Sequence, residues 1–385
     1  MNPPSTVALV TCRSYDIDPV REAVRKGIHL LGGTSSFVKP GEKLLLKPNV
    51  LVGDRSEKAV TTHPSVFRAV AEEFKRAGAD VWAGDSPAIG KPERNMDKAG
   101  LKEVAETLNL RLADFQTAVK VTFPEALLAK QMVLAAGVMD ADGIISISKM
   151  KTHGFTRITG AVKNQFGCVP GIRKAEYHVK MPDIYDFSKV LVDINRFLKP
   201  KLKLFIMDGI VAMEGNGPRG GEPCPMNVLL FSTDPVALDS VFCRLIDLNP
   251  EWVPTMTFGE ASGLGNYKAD DITLIGDPIE NLVNPNFKVT RRAPDRLASA
   301  RKFPAFLKNY ITPRPVIHYP SCVNCGTCIL QCPVTPKAVN WPGDNKQKKP
   351  VYNYNRCIRC YCCQEICPEK AITIKIPLLG RILPH

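Results

Sequence analysis

The sequence predicts an α/β domain with largely parallel sheets, in one or two lobes around a cleft, followed by a small α+β domain organised by cysteines. Two observations carry this. Over residues 1–284, compact apolar runs alternate with amphipathic stretches of helical period, the pattern of βα units. Near the C-terminus one cysteine pattern occurs twice, 35 residues apart: Cys322-x2-Cys325-x2-Cys328-x3-Cys332-Pro333 and Cys357-x2-Cys360-x2-Cys363-x3-Cys367-Pro368.

Taken in order, residues 6–12 form a first apolar strand, with no basic segment before it that would suggest a signal peptide. An amphipathic stretch over 20–31 closes at Gly32-Gly33 and predicts a helix. Residues 43–50 (KLLLKPNV) predict a buried strand ending in a polar turn. Residues 63–77 predict a helix that Gly78 stops, with His63 at its start as a cap or a catalytic group. Further strands are expected at 80–83, 143–148, 202–207, 227–231 and 272–275, and helices at 156–166, 185–197 and 235–245. Residues 285–318 form a basic, proline-containing linker, with seven Lys/Arg against one acid between Arg291 and Arg314. Its apolar residues Leu297, Phe303, Phe306, Leu307 and Tyr310 suggest a short docking helix. Residues 319–373 hold the cysteine runs, and 374–385 form an apolar tail. Linker and tail either pack on the chain's own α/β domain or meet a membrane surface or partner.

The cysteine spacing is that by which bacterial ferredoxins hold two [4Fe–4S] clusters, the fourth cysteine of each run crossing to the other cluster. One cluster then takes Cys322, Cys325, Cys328 and Cys367, and the other Cys357, Cys360, Cys363 and Cys332. A pair of zinc sites is the alternative use of CxxC pairs, and two complete runs ending in Cys-Pro favour clusters. Cys362 is expected to be a bystander. The other cysteines show no regular spacing, which suits a reducing cytoplasm. The formal net charge is +13, so acidic partners are expected: an acidic redox protein such as a ferredoxin or flavodoxin, or an anionic small molecule. The basic residues are dispersed and no nucleic-acid motif is present, so nucleic acid is the weakest of these readings. No stretch approaches the length of a membrane span.

The densest polar signal outside the cysteine runs is residues 149–178, KMKTHGFTRITGAVKNQFGCVPGIRKAEYH. It follows a strand, and ligands in open α/β sheets bind at strand carboxyl ends. Lys149, Lys151, Lys163, Asn164 and Arg173 are candidates for holding an anion, with His153 as a proton carrier and His178 nearby. Cys168 is an unassigned thiol within the segment. Other strand ends add Lys47, Asn49, Asp85, Ser86, Asp208 and Glu214. Residues 213–221 form a glycine-rich loop that lacks a nucleotide-binding spacing and serves as a lid or a turn.

At LLLKPNV, AGDSP, KMKTHGFTRITGAVKNQFGCVPG, MDGIVAMEGNGP and STDPVALDSVF the chain resembles domain of unknown function 362, in the form that carries a C-terminal two-cluster ferredoxin domain. The segment from Asp142 to His178 also bears a distant resemblance to nickel-pincer lactate racemase. That likeness implies a catalytic base at His153, a cofactor-anchoring lysine at Lys163 and a metal ligand near His178. It departs at Asp85-Ser86, where a second histidine base is needed. The expected function is an iron–sulfur oxidoreductase that relays electrons to or from an anionic molecule, or a further unidentified cofactor, in the α/β cleft. The alternatives are a non-catalytic electron carrier and a cofactor-dependent isomerase or racemase.

Overall fold

The computed structural model describes residues 3–171, 173–294 and 309–382. Eleven strands precede the cysteine region: β1 Ser5–Thr11, β2 Lys43–Pro48, β3 Asp80–Ala83, β4 Arg111–Leu112, β5 Ala118–Thr122, β6 Gln131–Ala135, β7 Gly143–His153, β8 Arg157–Thr159, β9 Leu202–Glu214, β10 Glu222–Ser232 and β11 Ile272–Gly276. The helices among them are α1 Ile17–Leu30, α2 Pro64–Arg76, α3 Pro92–Lys98, α4 Leu101–Thr107, α5 Ala136–Asp140, α6 Ala161–Asn164, α7 Arg173–Lys180, α8 Ile184–Leu198, α9 Pro235–Leu245 and α10 Pro254–Ala261.

Nine strands make one mixed sheet in the order β11-β1-β10-β9-β7-β2-β3-β4, with β8 folded back on β7. β5 and β6 pair antiparallel as a separate two-stranded sheet. The pairs β9/β7, β7/β2, β2/β3, β3/β4 and β1/β11 are parallel, while β10 runs antiparallel to β1 and β9. The period of two sorts side chains to opposite faces. Leu44, Leu46, Ile145 and Ile147 meet α1 and α2, whereas Leu45 and Ile144 meet α8 and α9. In α2, His63 accepts the Ser65 N–H, Pro64 occupies the first turn, and Val66, Phe67, Val70 and Phe74 form the buried stripe. Each such phenylalanine contributes about 1.5–3 kcal/mol on burial.

Two strands run further than their apolar cores suggested. β7 reaches His153 and β9 reaches Glu214, because they pair with each other out to Lys151 and Met213, past the sheet edge. The helix expected over 156–166 is instead β8, α6 and a single 3-10 turn. Thr156–Thr159 is β-branched at three of four positions and folds back onto β7. Helix α6 starts only after Gly160, where the Asp239 carboxylate accepts the N–H groups of Ala161 and Val162.

The cysteine domain adds β12 Arg314–Ile317, α11 Thr327–Leu330, β13 Val339–Asn340, β14 Val351–Tyr352, α12 Cys362–Ile366, β15 Ile372–Lys375 and a last turn of helix, α13 Leu379–Ile382. β12 pairs with β15 and β13 with β14, both antiparallel. Residues 285–294 still belong to the α/β domain: Phe287 is buried and Lys288 N–H donates to Glu214. The docking helix expected around Leu297, Phe303, Phe306 and Leu307 lies outside the described residues, and Tyr310 is exposed. In the tail, Leu378 and Leu379 are exposed. Among the described residues no helix is long and apolar enough to cross a membrane.

A candidate electron-transfer site at the seam between the domains

The eight cysteines of the two runs surround two separate small cavities. Cys322, Cys325, Cys328 and Cys367 line one, and Cys332, Cys357, Cys360 and Cys363 line the other. Each cavity thus takes three sulfurs from one run and one from the other, the crossed set that a pair of cubanes requires. The backbone fits as well. Asn324 and Gly326 in the first run and Arg359 and Tyr361 in the second all have φ between 61° and 73°. Alternating left-handed residues turn successive N–H groups to one side, a shape suited to an anionic centre. The Tyr352 hydroxyl donates to Cys363 Sγ at 3.1 Å and the Ala338 N–H to Cys332 Sγ at 3.3 Å. These residues fit two [4Fe–4S] clusters, which supply one-electron chemistry when bound.

The cysteine domain sits on the projecting end of β7. Gly154 follows His153 at the β7–β8 turn, and a Cβ there would stand 2.4 Å from Ile374 Cδ1. A larger residue there would have to push aside the end of the Ile374 side chain that seals the seam. Gln364 Nε2 donates to the carbonyls of Asn216 and Gly217, and Asn216 Nδ2 donates to Ile372 O. Arg219 bridges Asp54 and the carbonyl of Ile366. The glycine-rich loop is therefore the platform that grips α12.

Four polar side chains meet beneath that grip. His153 Nδ1 accepts the N–H groups of Phe155 and Thr156, so its proton resides on Nε2. Nε2 faces Glu365 Oε1 of α12 at 3.0 Å. Burial lowers His153 to about 4, which keeps the ring neutral. Burial alone would raise the Glu365 carboxyl, yet His153, Lys163 and His178 hold it near the bottom of the carboxylate range, at about 2. His178 is stacked on Phe187, with ring centroids 4.6 Å apart, and also packs against Phe155 and Phe166. Its Nδ1 is buried with no hydrogen-bond partner among the described residues. The Lys163 ammonium makes no hydrogen bond or ion pair among the described residues and lies 5.9 Å from the centroid of the Phe166 ring. Burial lowers its pKa although the Glu365 carboxylate favours its charge. The structure thus brings His153, Lys163 and His178 to one place and adds Glu365 from the other domain. Cys362, expected to be a bystander, is half-buried at the start of α12 beside Cys363.

The other candidates are not presented to an open cleft. Lys47 Nζ lies 2.8 Å from Asp85 Oδ1 with both side chains buried, and Lys149 Nζ lies 2.8 Å from Asp208 Oδ2, while Asp208 Oδ1 accepts from the Tyr15 hydroxyl. Lys151 donates to Asn49 Oδ1 and Val60 O, and burial lowers it to about 7. Asn164 bridges Lys47, Asn49 and Ser146; Ser86 accepts the Gly171 N–H; Glu214 pairs with Lys288. Arg173 makes no ion pair among the described residues. Most of the cations expected to hold an anion therefore have partners within the protein, since a lysine between strands must be neutralised or hydrogen-bonded in place. Gly167 lies so near the Lys47–Asp85 pair that a Cβ would meet Asp85 Oδ1 at 2.0 Å. Asp85→Ala should lower unfolding stability by about 3–5 kcal/mol in urea titrations, the cost of stranding a buried charge. A stability equal to the parent's would show that Lys47 is not held by this pair.

Beside His153 the seam opens into a cavity of about 730 Å³, lined by His153, Phe155, Arg157, Asp183, Cys357, Arg359 and Tyr361, among others. Glu365, Arg359, Gln364 and Asn216 were not singled out from the sequence. A signal was there: where the first run has Gly326-Thr327 and Ile329-Leu330, the second has Tyr361-Cys362 and Gln364-Glu365. Polar and bulky residues replaced small and apolar ones in the copy that docks.

A sheet domain whose central strand ends against a seated two-cluster ferredoxin unit defines an iron–sulfur protein with a built-in electron carrier. The chain belongs to the family described as domain of unknown function (DUF362), whose model matches residues 44–244, and a 4Fe-4S dicluster domain matches residues 314–368. It is 35% identical over 285 residues to the thylakoid-associated protein sll1697 of Synechocystis sp. (strain ATCC 27184 / PCC 6803 / Kazusa), spanning 74% of this chain and 87% of that protein. Among solved structures, the lactate racemase apoprotein from Thermoanaerobacterium thermosaccharolyticum matches with a TM-score of 0.40 and 13% identity, over 62% of this chain and 55% of that one.

Proposed function

We propose that the protein is an iron–sulfur oxidoreductase of the cytoplasm whose reaction centre is the seam between its domains. The observation that carries this reading is the 3.0 Å approach of Glu365 to His153 Nε2. Glu365 stands two residues from Cys363 and from Cys367, so the helix that holds cluster ligands also touches the proton-bearing imidazole. Electron supply and proton supply then share one location. His153 carries the proton on Nε2, the N–H groups of Phe155 and Thr156 fix that tautomer, Glu365 stands beside the proton, and Lys163 offers charge to an oxyanion that forms during reduction. To test this, anaerobic, dithionite-reduced protein is mixed with a small-molecule cell extract fractionated by charge, and cluster reoxidation is followed by absorbance. Reoxidation by an anionic fraction is expected. If no fraction reoxidises the protein while an electron-carrier protein does, the chain is a carrier without turnover.

The other end of the domain suits a partner. Cys325 is exposed, and Val323 and Leu330 beside it are 60% and 73% exposed. Lys337, Lys346, Lys348 and Lys349 face a single acid, Asp344, over residues 319–350. An acidic redox protein such as a small ferredoxin or flavodoxin fits this apolar, lysine-rimmed surface. Stopped-flow exchange with an acidic carrier should slow as salt shortens the screening length from about 10 Å at 0.1 M to about 3 Å at 1 M. Replacing Lys346, Lys348 and Lys349 together with Gln should flatten that dependence. A rate insensitive to salt in both proteins removes the electrostatic docking.

A further inference from the structure

We propose that the seam cavity is a binding site for an organic oxyanion, a carboxylate or phosphate on a partly apolar body, with Arg157 and Arg359 as its anchors. The proposal gives the oxidoreductase reading its ligand class and rests on that reading only for the ligand's redox role. A cavity of about 730 Å³ is in the range that holds a cofactor-sized or drug-sized molecule. Its walls come from both domains: Phe155 and Arg157 from the β7–β8 hairpin, and Cys357, Arg359 and Tyr361 from the second cysteine run.

Unpartnered polar atoms give the class. Arg157 Nε and Arg359 Nη1 are buried and have no hydrogen-bond partner among the described residues, although each guanidinium is held elsewhere. Arg157 Nη2 donates to the carbonyls of Arg292 and Ala293, and Arg359 Nη2 donates to Asn309 Oδ1. Both arginines also occupy the left-handed region, with φ of 70° and 61°. A non-glycine residue there costs about 1–2 kcal/mol. Two fixed guanidinium groups with spare N–H donors suit an oxyanion, since a guanidinium hydrogen bond to an anion is among the stronger ones. Asp183 also lines the cavity, and its Oδ2 is likewise buried with no hydrogen-bond partner among the described residues. The ligand therefore also carries a hydroxyl or amino donor. The rings of Phe155 and Tyr361 provide an apolar surface for its body. Arg359 sits between Cys357 and Cys360, so a ligand held there lies against the loop that holds cluster ligands.

The test uses fluorescent probes with cluster-loaded, full-length protein. Hydroxynaphthoate carries the anion, the donor and the flat body; naphthyl phosphate changes the anion; naphthol lacks it. One site per chain is expected for either anion, with naphthol at least tenfold weaker. The preferred head group distinguishes carboxylate from phosphate. Arg157→Gln and Arg359→Gln should each weaken the anion at least tenfold, and the Lys variants less, with iron content confirming that all four fold. Equal binding of naphthol, or anion binding unchanged in both Gln variants, overturns the site. Electron paramagnetic resonance of the reduced protein separates the two ideas. Binding that shifts the cluster signal supports both, and binding that leaves it unmoved keeps the site while removing the redox role.

Discussion

Cys367→Ser should cost the protein the cluster of the first cysteine run, although Cys367 belongs to the second run. Its thiol lines the cavity of Cys322, Cys325 and Cys328, while Cys332 lines the cavity of the later three. Iron should fall from about eight to about four atoms per chain in Cys367→Ser, and by the same amount in Cys332→Ser. The identity of the lost cluster is the informative part. Cys367→Ser should share the spectrum of Cys322→Ser, and Cys332→Ser that of Cys360→Ser. If each variant instead groups with members of its own run, the crossed arrangement is wrong. Full iron in all four would mean that these thiols are not ligands.

Lys163→Met and His153→Ala should lower reoxidation of the reduced protein by its substrate fraction at least a hundredfold, the usual order for losing a positioned acid–base group. Stability separates this from a structural role. Lys163 is an amine with no hydrogen bond among the described residues and with burial acting against its charge. Removing it relieves that burial and withdraws its support from the Glu365 carboxylate, two effects of opposite sign. Lys163→Met is therefore expected to keep its fold and its iron while inactive. A variant that loses both clusters and solubility would instead assign Lys163 to holding the domains together.

Much of this architecture was legible in the chain because it rests on local periodicity. The alternation around Leu44–Leu46 and the cap at His63 follow from neighbouring residues alone. The cysteine runs were legible because cluster geometry demands fixed spacing. The helix expected over 156–166 failed because pairing with β7 prevailed over a glycine-punctuated stretch of weak helical preference. The site was legible only on one side. His153, Lys163 and His178 lie within 26 residues of each other and stood out together. Glu365 is more than two hundred residues away from His153 and gave no sign of its partner. The pairing of Lys47 with Asp85 and of Lys149 with Asp208 was hidden for the same reason, since strand order decides which carboxylate faces which lysine.

The left-handed residue at position 361 has a consequence for how the two cysteine runs can be used. Gly326 occupies that backbone conformation freely, while Tyr361 adopts it with a side chain, at a cost of about 1–2 kcal/mol. The ring is buried and packs edge-on against Phe155 of the β7–β8 turn, with centroids 6.2 Å apart, so docking offsets that strain. A detached cysteine domain would keep the strain and lose the compensation. The two runs are alike in sequence spacing but not exchangeable: turning the domain end for end would bring Leu330 to His153 where Glu365 now stands. The duplication has thus become a directional conductor, with one terminal fixed to the protein and the other left open to visitors.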